Sequence, residues 1–183
     1  MPKKALINID FTYDFVADHG ALTCGDPGQA IEGKIIDITK EFIENDDYVV
    51  FAIDVHDKGD KYHPETELFP PHNLRGTAGR HLFGGLQAVY DENKHRDNVA
   101  FMDKTRYSAF AGTDLEIKLR ERGVTEVHLV GVCTDICVLH TAVDAYNKGF
   151  KIIVYKEAVA SFNPNGHDWA LGHFEQSLGA MVK

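Results

Sequence analysis

Residues 126 to 146 read Glu-Val-His-Leu-Val-Gly-Val-Cys-Thr-Asp-Ile-Cys-Val-Leu-His-Thr-Ala-Val-Asp-Ala-Tyr, and this stretch decides the fold. Val127, Leu129, Val130 and Val132 make an apolar run that is broken by Gly131 and followed by small polar residues. Ile136, Leu139, Val143 and Tyr146 then recur at helical spacing. The reading is strand, tight turn, helix. Thr134 or Asp135 is the expected N-cap, which puts Cys137 in the first turn, where unpaired backbone N–H groups and the helix dipole favour an anion. A thiol held there is expected to ionise easily, at the carboxyl end of a parallel strand where open α/β sheets take their ligands. Taken alone, the segment equally admits Cys137 as a small buried residue packing a helix onto a sheet.

Outward from this segment the same order repeats. Residues 5–9 form a compact apolar strand ending at Asp10, and residues 11–16 hold aromatics and acids without a clear period. A turn-rich loop with Cys24 follows, then an amphipathic helix over 29–45 carried by Ile31, Ile35, Ile38 and Phe42. A second buried strand, 48–53, ends at Asp54-Val55-His56, and strand, helix and strand in this order imply a right-handed crossover in a parallel sheet. Residues 57–85 are irregular and rich in His, Pro and Gly; a stretch of that length inside a compact domain is usually functional or disordered, and its aromatics and prolines argue for order. A short helix over 82–90 and a strand over 99–102, running into Asp103-Lys104, come next. Thr113-Asp-Leu-Glu116 is a capping-box sequence for a helix through Leu115, Leu119 and Arg122 that Gly123 stops. After the central segment come a strand over 152–155, a loop over 156–166, a helix over 167–178 and a short strand over 180–182. The expected fold is α/β: a three-layer doubly wound domain spanning 1–183, with a central, mostly parallel sheet and helices on both faces.

The totals suit such a domain: 183 residues, 44% hydrophobic and 26% charged. A net charge of -9 without a basic cluster argues against nucleic acid and anionic membrane surfaces as partners and for a small molecule. The first apolar run breaks at Asp10, too short for a signal-peptide core or a membrane span, so a cytoplasmic location is expected. Three cysteines, an odd number, argue against a disulfide framework and leave thiol chemistry or packing. Self-association into a homo-oligomer is compatible with this composition.

In a parallel sheet all carboxyl ends lie on one edge, so Asp10, Asp54, His56, Lys104 and Cys137 converge. Asp10, Lys104 and Cys137 supply a base, a cation and a soft nucleophile. Each has a bland alternative; an isolated Asp at a strand end commonly just caps a turn. Asp54 and His56 project to the same face of an extended segment, which places two ligands of one metal. His63, Glu65 and His72 in the next loop complete a mixed oxygen and nitrogen shell suited to Zn, Fe or Mn. Phe15, Phe69 and Tyr107 lie just beyond these positions, where they either wall a flat ring or belong to the core.

With these residues in hand, the sequence resembles the isochorismatase-like cysteine hydrolases and, within them, bacterial nicotinamidases, also called pyrazinamidases. The likeness covers nearly the whole chain: residues 6–10 with Asp14-Phe15, Asp54-Val-His56, His63-Pro-Glu65, residues 68–72, residues 104–110 and, most specifically, Gly131-Val-Cys-Thr-Asp-Ile-Cys137-Val. The resemblance implies a catalytic triad of Asp10, Lys104 and Cys137 and metal ligands Asp54, His56 and His72, with Glu65 as a fourth. It implies that backbone N–H groups of Cys133 and Cys137 hold an oxyanion, with a cis peptide at Val132-Cys133, and that Phe15, Phe69 and Tyr107 wall the ring. It further implies one divalent metal ion, zinc above iron or manganese, and hydrolysis of nicotinamide to nicotinate and ammonia through a thioester, a step of NAD salvage, with pyrazinamide as a second substrate. Cys24 receives a structural or incidental role.

Overall fold

The computed structural model describes residues 3–183. Its strands are β1 (Lys3–Ile9), β2 (Tyr48–Asp54), β3 (Val99–Lys104), β4 (Val124–Val132), β5 (Lys151–Ala160) and β6 (Met181–Val182). They form one sheet in the order β3-β2-β1-β4-β5-β6 with every pairing parallel. The direction of winding reverses between β1 and β4, which leaves a crevice at their carboxyl ends. Every residue of β2 is buried, as a strand covered on both faces requires.

The helices are α1 (Tyr13–Val16), α2 (Asp26–Ala30), α3 (Glu32–Glu44), α4 (Gly85–Asn93), α5 (Leu115–Glu121), α6 (Leu139–Asn147) and α7 (Pro164–Gln176). Alternation along the strands divides their side chains between two cores. Ile7, Val50, Leu129 and Val154 pack with Leu119 of α5, Ala142 of α6 and Phe174 of α7. Leu6, Val49, Phe51 and Val130 pack on the other face with Ile35 and Phe42 of α3 and Leu86 of α4. Each large side chain so buried contributes about 1.5–3 kcal/mol. The three layers expected from the sequence are present.

Several local expectations are corrected. The helix expected over 29–45 is two helices meeting at Ile31. The helix expected over 82–90 begins at Gly85, where Gly84 turns the chain at φ 54° and the Gly85 N–H donates to Glu32 at 2.8 Å. Residues 156–160, expected as loop, continue β5 and pair Val159 with Gly131 and Ala160 with Val132. A register shift between Leu129 and Gly131 breaks the periodic pattern there. α6 does not bury the stripe of Leu139, Val143 and Tyr146; it buries Thr141, Ala142 and Ala145, small residues that let it approach the sheet, and Tyr146 is 52% exposed. The capping box at Thr113 does not form: Asp114 precedes the first helical residue, and Glu116 meets Lys148 at 2.7 Å instead. α7 starts at Pro164 because the Asn163 side chain accepts from the Gly166 N–H at 3.1 Å.

Candidate active site

β4 can run beside β1 only because residue 131 is glycine. Its φ is 119°, and a Cβ there would lie 2.0 Å from the Ile9 carbonyl oxygen. The strand ends at Val132, the Val132-Cys133 peptide is cis, and residues Thr134–Val138 form a wide π-type turn whose Val138 N–H donates to Cys133 O at 3.2 Å. Cys137 therefore sits in the opening turn, as expected. Neither Thr134 nor Asp135 caps it. The Thr134 hydroxyl is 2.8 Å from His167 Nδ1, and the Asp135 carboxylate accepts from the Ser161 hydroxyl at 2.6 Å. Both side chains are thus drawn away to the segment between β5 and α7, which anchors the turn from outside.

Asp10 closes β1 in the left-handed region, φ 53°, and its Oδ1 accepts from the Asp54 N–H at 2.8 Å. Lys104 closes β3 two strands away. Its Nζ lies 2.8 Å from Asp10 Oδ2, 3.8 Å from Asp54 Oδ1 and 3.7 Å from Cys137 Sγ, and donates to Arg106 O at 3.0 Å. All three triad candidates are buried. Burial alone disfavours an ammonium, but Asp10, Cys137 and Asp54 reverse this and hold the Lys104 proton tightly. Burial pushes the Asp10 carboxyl up, against the pull of Lys104. Cys137 does not ionise easily, contrary to the expectation from its place at a helix start. Burial raises its thiol well above the ordinary value, Lys104 offsets only part of this, and Asp10 and Asp54 raise it further. The resting thiol keeps its proton, with Asp10 as the neighbouring acceptor.

Beside this group Asp54, His56, Glu65 and His72 gather four ligand atoms within 4.8 Å of one another, all on buried residues. His56 Nε2 is 2.7 Å and His72 Nε2 3.4 Å from Asp54 Oδ2, and His72 Nε2 is 3.5 Å from Glu65 Oε2. The His72 Nδ1–H donates to Pro70 O at 2.8 Å, which turns Nε2 inward, where it finds no hydrogen-bond partner. Burial opposes charge on that ring, yet its contacts with Asp54 and Glu65 push its pKa up to about 10. The cage attracts a cation, and two carboxylates with two imidazoles neutralise a divalent one. His63 stands outside it. Its Nε2–H donates to Thr105 O at 2.7 Å and its Nδ1 accepts from the Glu65 N–H at 3.2 Å, so it caps the short 3-10 turn Pro64–Glu67 that presents Glu65.

The residue after His72 is tied to His56 from behind. Asn73, φ 44°, accepts at its carbonyl from the His56 N–H at 3.1 Å and at its side chain from the Thr12 hydroxyl at 3.0 Å, while its own N–H donates to Asp14 at 2.7 Å. Sequence reasoning did not find this bridge, because Thr12 and Asn73 carry no periodic signal.

Phe15, Phe69, Tyr107, Glu65, Cys133 and Cys137 share a cavity with Leu22, Ile136 and Phe162. The first six were expected at the site; the last three were not. Phe162 is 46% exposed at the mouth, in the segment that also anchors the π-type turn. The cavity measures about 20 Å³, room for roughly one water.

A buried acid, ammonium and thiol converging at the switch point of a parallel sheet, with a candidate metal-binding group alongside, fit a hydrolytic enzyme. The chain belongs to the isochorismatase family, whose domain matches residues 4–183. It is 67% identical over 180 residues, 98% of either chain, to the isochorismatase family protein PncA of Bacillus subtilis. The crystal structure of the nicotinamidase/pyrazinamidase PncA from Bacillus subtilis superposes with a TM-score of 0.97 at 65% identity, covering 98% of each chain. The pyrazinamidase of Pyrococcus horikoshii in complex with zinc superposes at 0.85 with 28% identity, covering 100% of this chain and 99% of that one.

Proposed function

We propose that this protein is a metal-dependent nicotinamidase, hydrolysing nicotinamide to nicotinate and ammonia through a thioester on Cys137, and that pyrazinamide is also a substrate. The observation that carries this reading is the meeting of Asp10, Lys104 and Cys137 beside the four-ligand cage, with Cys137 on a narrow cavity lined by Phe15, Phe69 and Tyr107 that must widen to take the ring. Nicotinamide offers a ring nitrogen and a carboxamide to these two centres. Asp54, His56, Glu65 and His72 would hold a divalent ion, zinc first among candidates, which when bound supplies a Lewis acid for the ring nitrogen.

Asp10 takes the Cys137 proton as the sulfur attacks the carboxamide carbon. The raised proton affinity of Asp10 suits it to this, because it narrows the gap to the thiol. Lys104 steadies the charge passing between them. Backbone N–H groups of Cys133 and Cys137 receive the oxyanion. Asp10 then protonates the departing nitrogen as the C–N bond breaks, and afterwards takes a proton from the water that cleaves the thioester. This releases nicotinate and restores the thiol. The hydrophobic ring walls exclude other water while the thioester stands.

The test is product analysis. Metal-loaded protein given nicotinamide is expected to form nicotinate and ammonia in equal amounts; ring product without ammonia, or neither product from folded and loaded protein, would refute the reading.

A further inference from the structure

Two of the three thiols have no part in that chemistry, yet they touch. Cys24 and Cys133, 109 residues apart, bring their sulfurs to 3.3 Å. Both are buried, but unequally placed. Cys133 lines the cavity beside Cys137, whereas Cys24 lies behind it in the core with Val16 and Ile31. Each is tied to the site through its backbone. The Cys24 N–H donates to the carbonyl of Phe15, a wall of the cavity, at 2.8 Å, and Cys133 opens the turn that carries Cys137.

We propose that Cys24 and Cys133 are a peroxide-reactive dithiol that closes to a disulfide and in doing so impairs ring binding at the adjacent site. Both sulfurs are buried, so the oxidant is a small one, hydrogen peroxide, and not a bulky disulfide. The Cys133 thiolate attacks a peroxide oxygen, the O–O bond breaks, and hydroxide leaves and takes up the Cys133 proton as water, giving a sulfenic acid. The Cys24 thiolate then attacks that sulfur, the S–O bond breaks, and hydroxide leaves with the Cys24 proton as a second water. In sum two thiols and one peroxide give one disulfide and two waters. The contact with Cys24, and then burial, hold the Cys133 thiol well above its ordinary value, so the first attack is slow and the pair stays reduced until peroxide is sustained. Disulfide sulfurs lie about 2.05 Å apart, so closure shortens the sulfur–sulfur distance by about 1.2 Å from the present contact and draws on the segments that carry them. Because the Cys24 backbone is bonded to Phe15 and Cys133 opens the π-type turn, that movement displaces both together.

Only the effect on ring binding rests on the functional reading above. The test uses metal-loaded Cys137→Ser protein, which removes the competing thiol, treated with hydrogen peroxide and digested without reduction. A peptide linking Cys24 to Cys133, released by a thiol reductant, is expected. Affinity for nicotinamide should fall about tenfold or more on oxidation and return on reduction. The same protein carrying Cys24→Ala should yield no linked peptide. Recovery of the two cysteines unlinked overturns the proposal, as does a linked protein that binds nicotinamide as well as the reduced one. Nicotinamide that never binds the reduced protein refutes the functional reading, while the linked peptide still decides whether the dithiol exists.

Discussion

Lys104 and Asp10 close an ion pair of 2.8 Å with both side chains wholly shielded from solvent. The pair joins the ends of β3 and β1 across β2, so it is a structural clamp as well as the seat of the proposed proton transfer. Its desolvation is expensive, and only the match of charges makes it tolerable.

Lys104→Met is therefore expected to cost about 3–5 kcal/mol, because Asp10 and Asp54 lose the charge that both face. Urea unfolding reads this directly, and turnover should vanish with it. A variant of wild-type stability would show that the carboxylates are protonated without the ammonium.

The β1 to β4 contact makes a second prediction. Gly131→Ala drives a Cβ to 2.0 Å from the Ile9 carbonyl at a φ of 119°, backbone on backbone with no flexible side chain to yield. A loss of about 4 kcal/mol or more is expected. Gly172→Ala in α7, where the nearest atom is 3.9 Å away at the end of Gln176, should be neutral or slightly stabilising. Thermal denaturation of the two proteins side by side checks the contrast.

Asn73→Gly keeps the positive φ and removes only the side-chain bridge to Thr12. The metal cage should then hold its ion about 10–100-fold more weakly, read by competition with a chelator. Equal affinity would mean that the backbone contacts of residue 73 suffice.

Stability should depend on pH through His128, remote from the cage. Its Nε2–H donates to Glu126 at 2.7 Å, and its Nδ1 accepts from the Tyr155 hydroxyl at 2.9 Å. Burial, and then the positive charges of Lys4 and Lys183, depress its pKa below 6.5 despite Glu126. A depressed histidine leaves the unfolded chain binding the extra proton first. Its stabilising contribution is therefore complete above 6.5 and is lost as pH falls through the folded value. Between pH values of about 7 and 5, the unfolding temperature of the wild type should drop more steeply than that of His128→Asn. Parallel slopes would assign the acid sensitivity to other groups.

Much of the site was legible because a parallel sheet sorts residues by position along each strand. Asp10, Asp54 and Lys104 each end an apolar run, so their convergence follows from topology alone. Phe162, Leu22 and the Cys24 to Cys133 contact were not legible, since loops without a period bring them together and only tertiary packing decides where those loops lie. The expected N-cap failed for a related reason: Ser161 and His167, distant in sequence, recruit Asp135 and Thr134. The ionisation of Cys137 was misjudged because a helix start argues for the thiolate, while burial beside two carboxylates, invisible in sequence, outweighs it.

The most direct measurement is ammonia release from nicotinamide by metal-loaded wild type beside metal-loaded Cys137→Ala. The wild type should release ammonia steadily, and the variant should be slower by about 10⁴-fold or more while still binding metal and ring. Comparable release by the two proteins would contradict a thioester on Cys137 and, with it, the central claim.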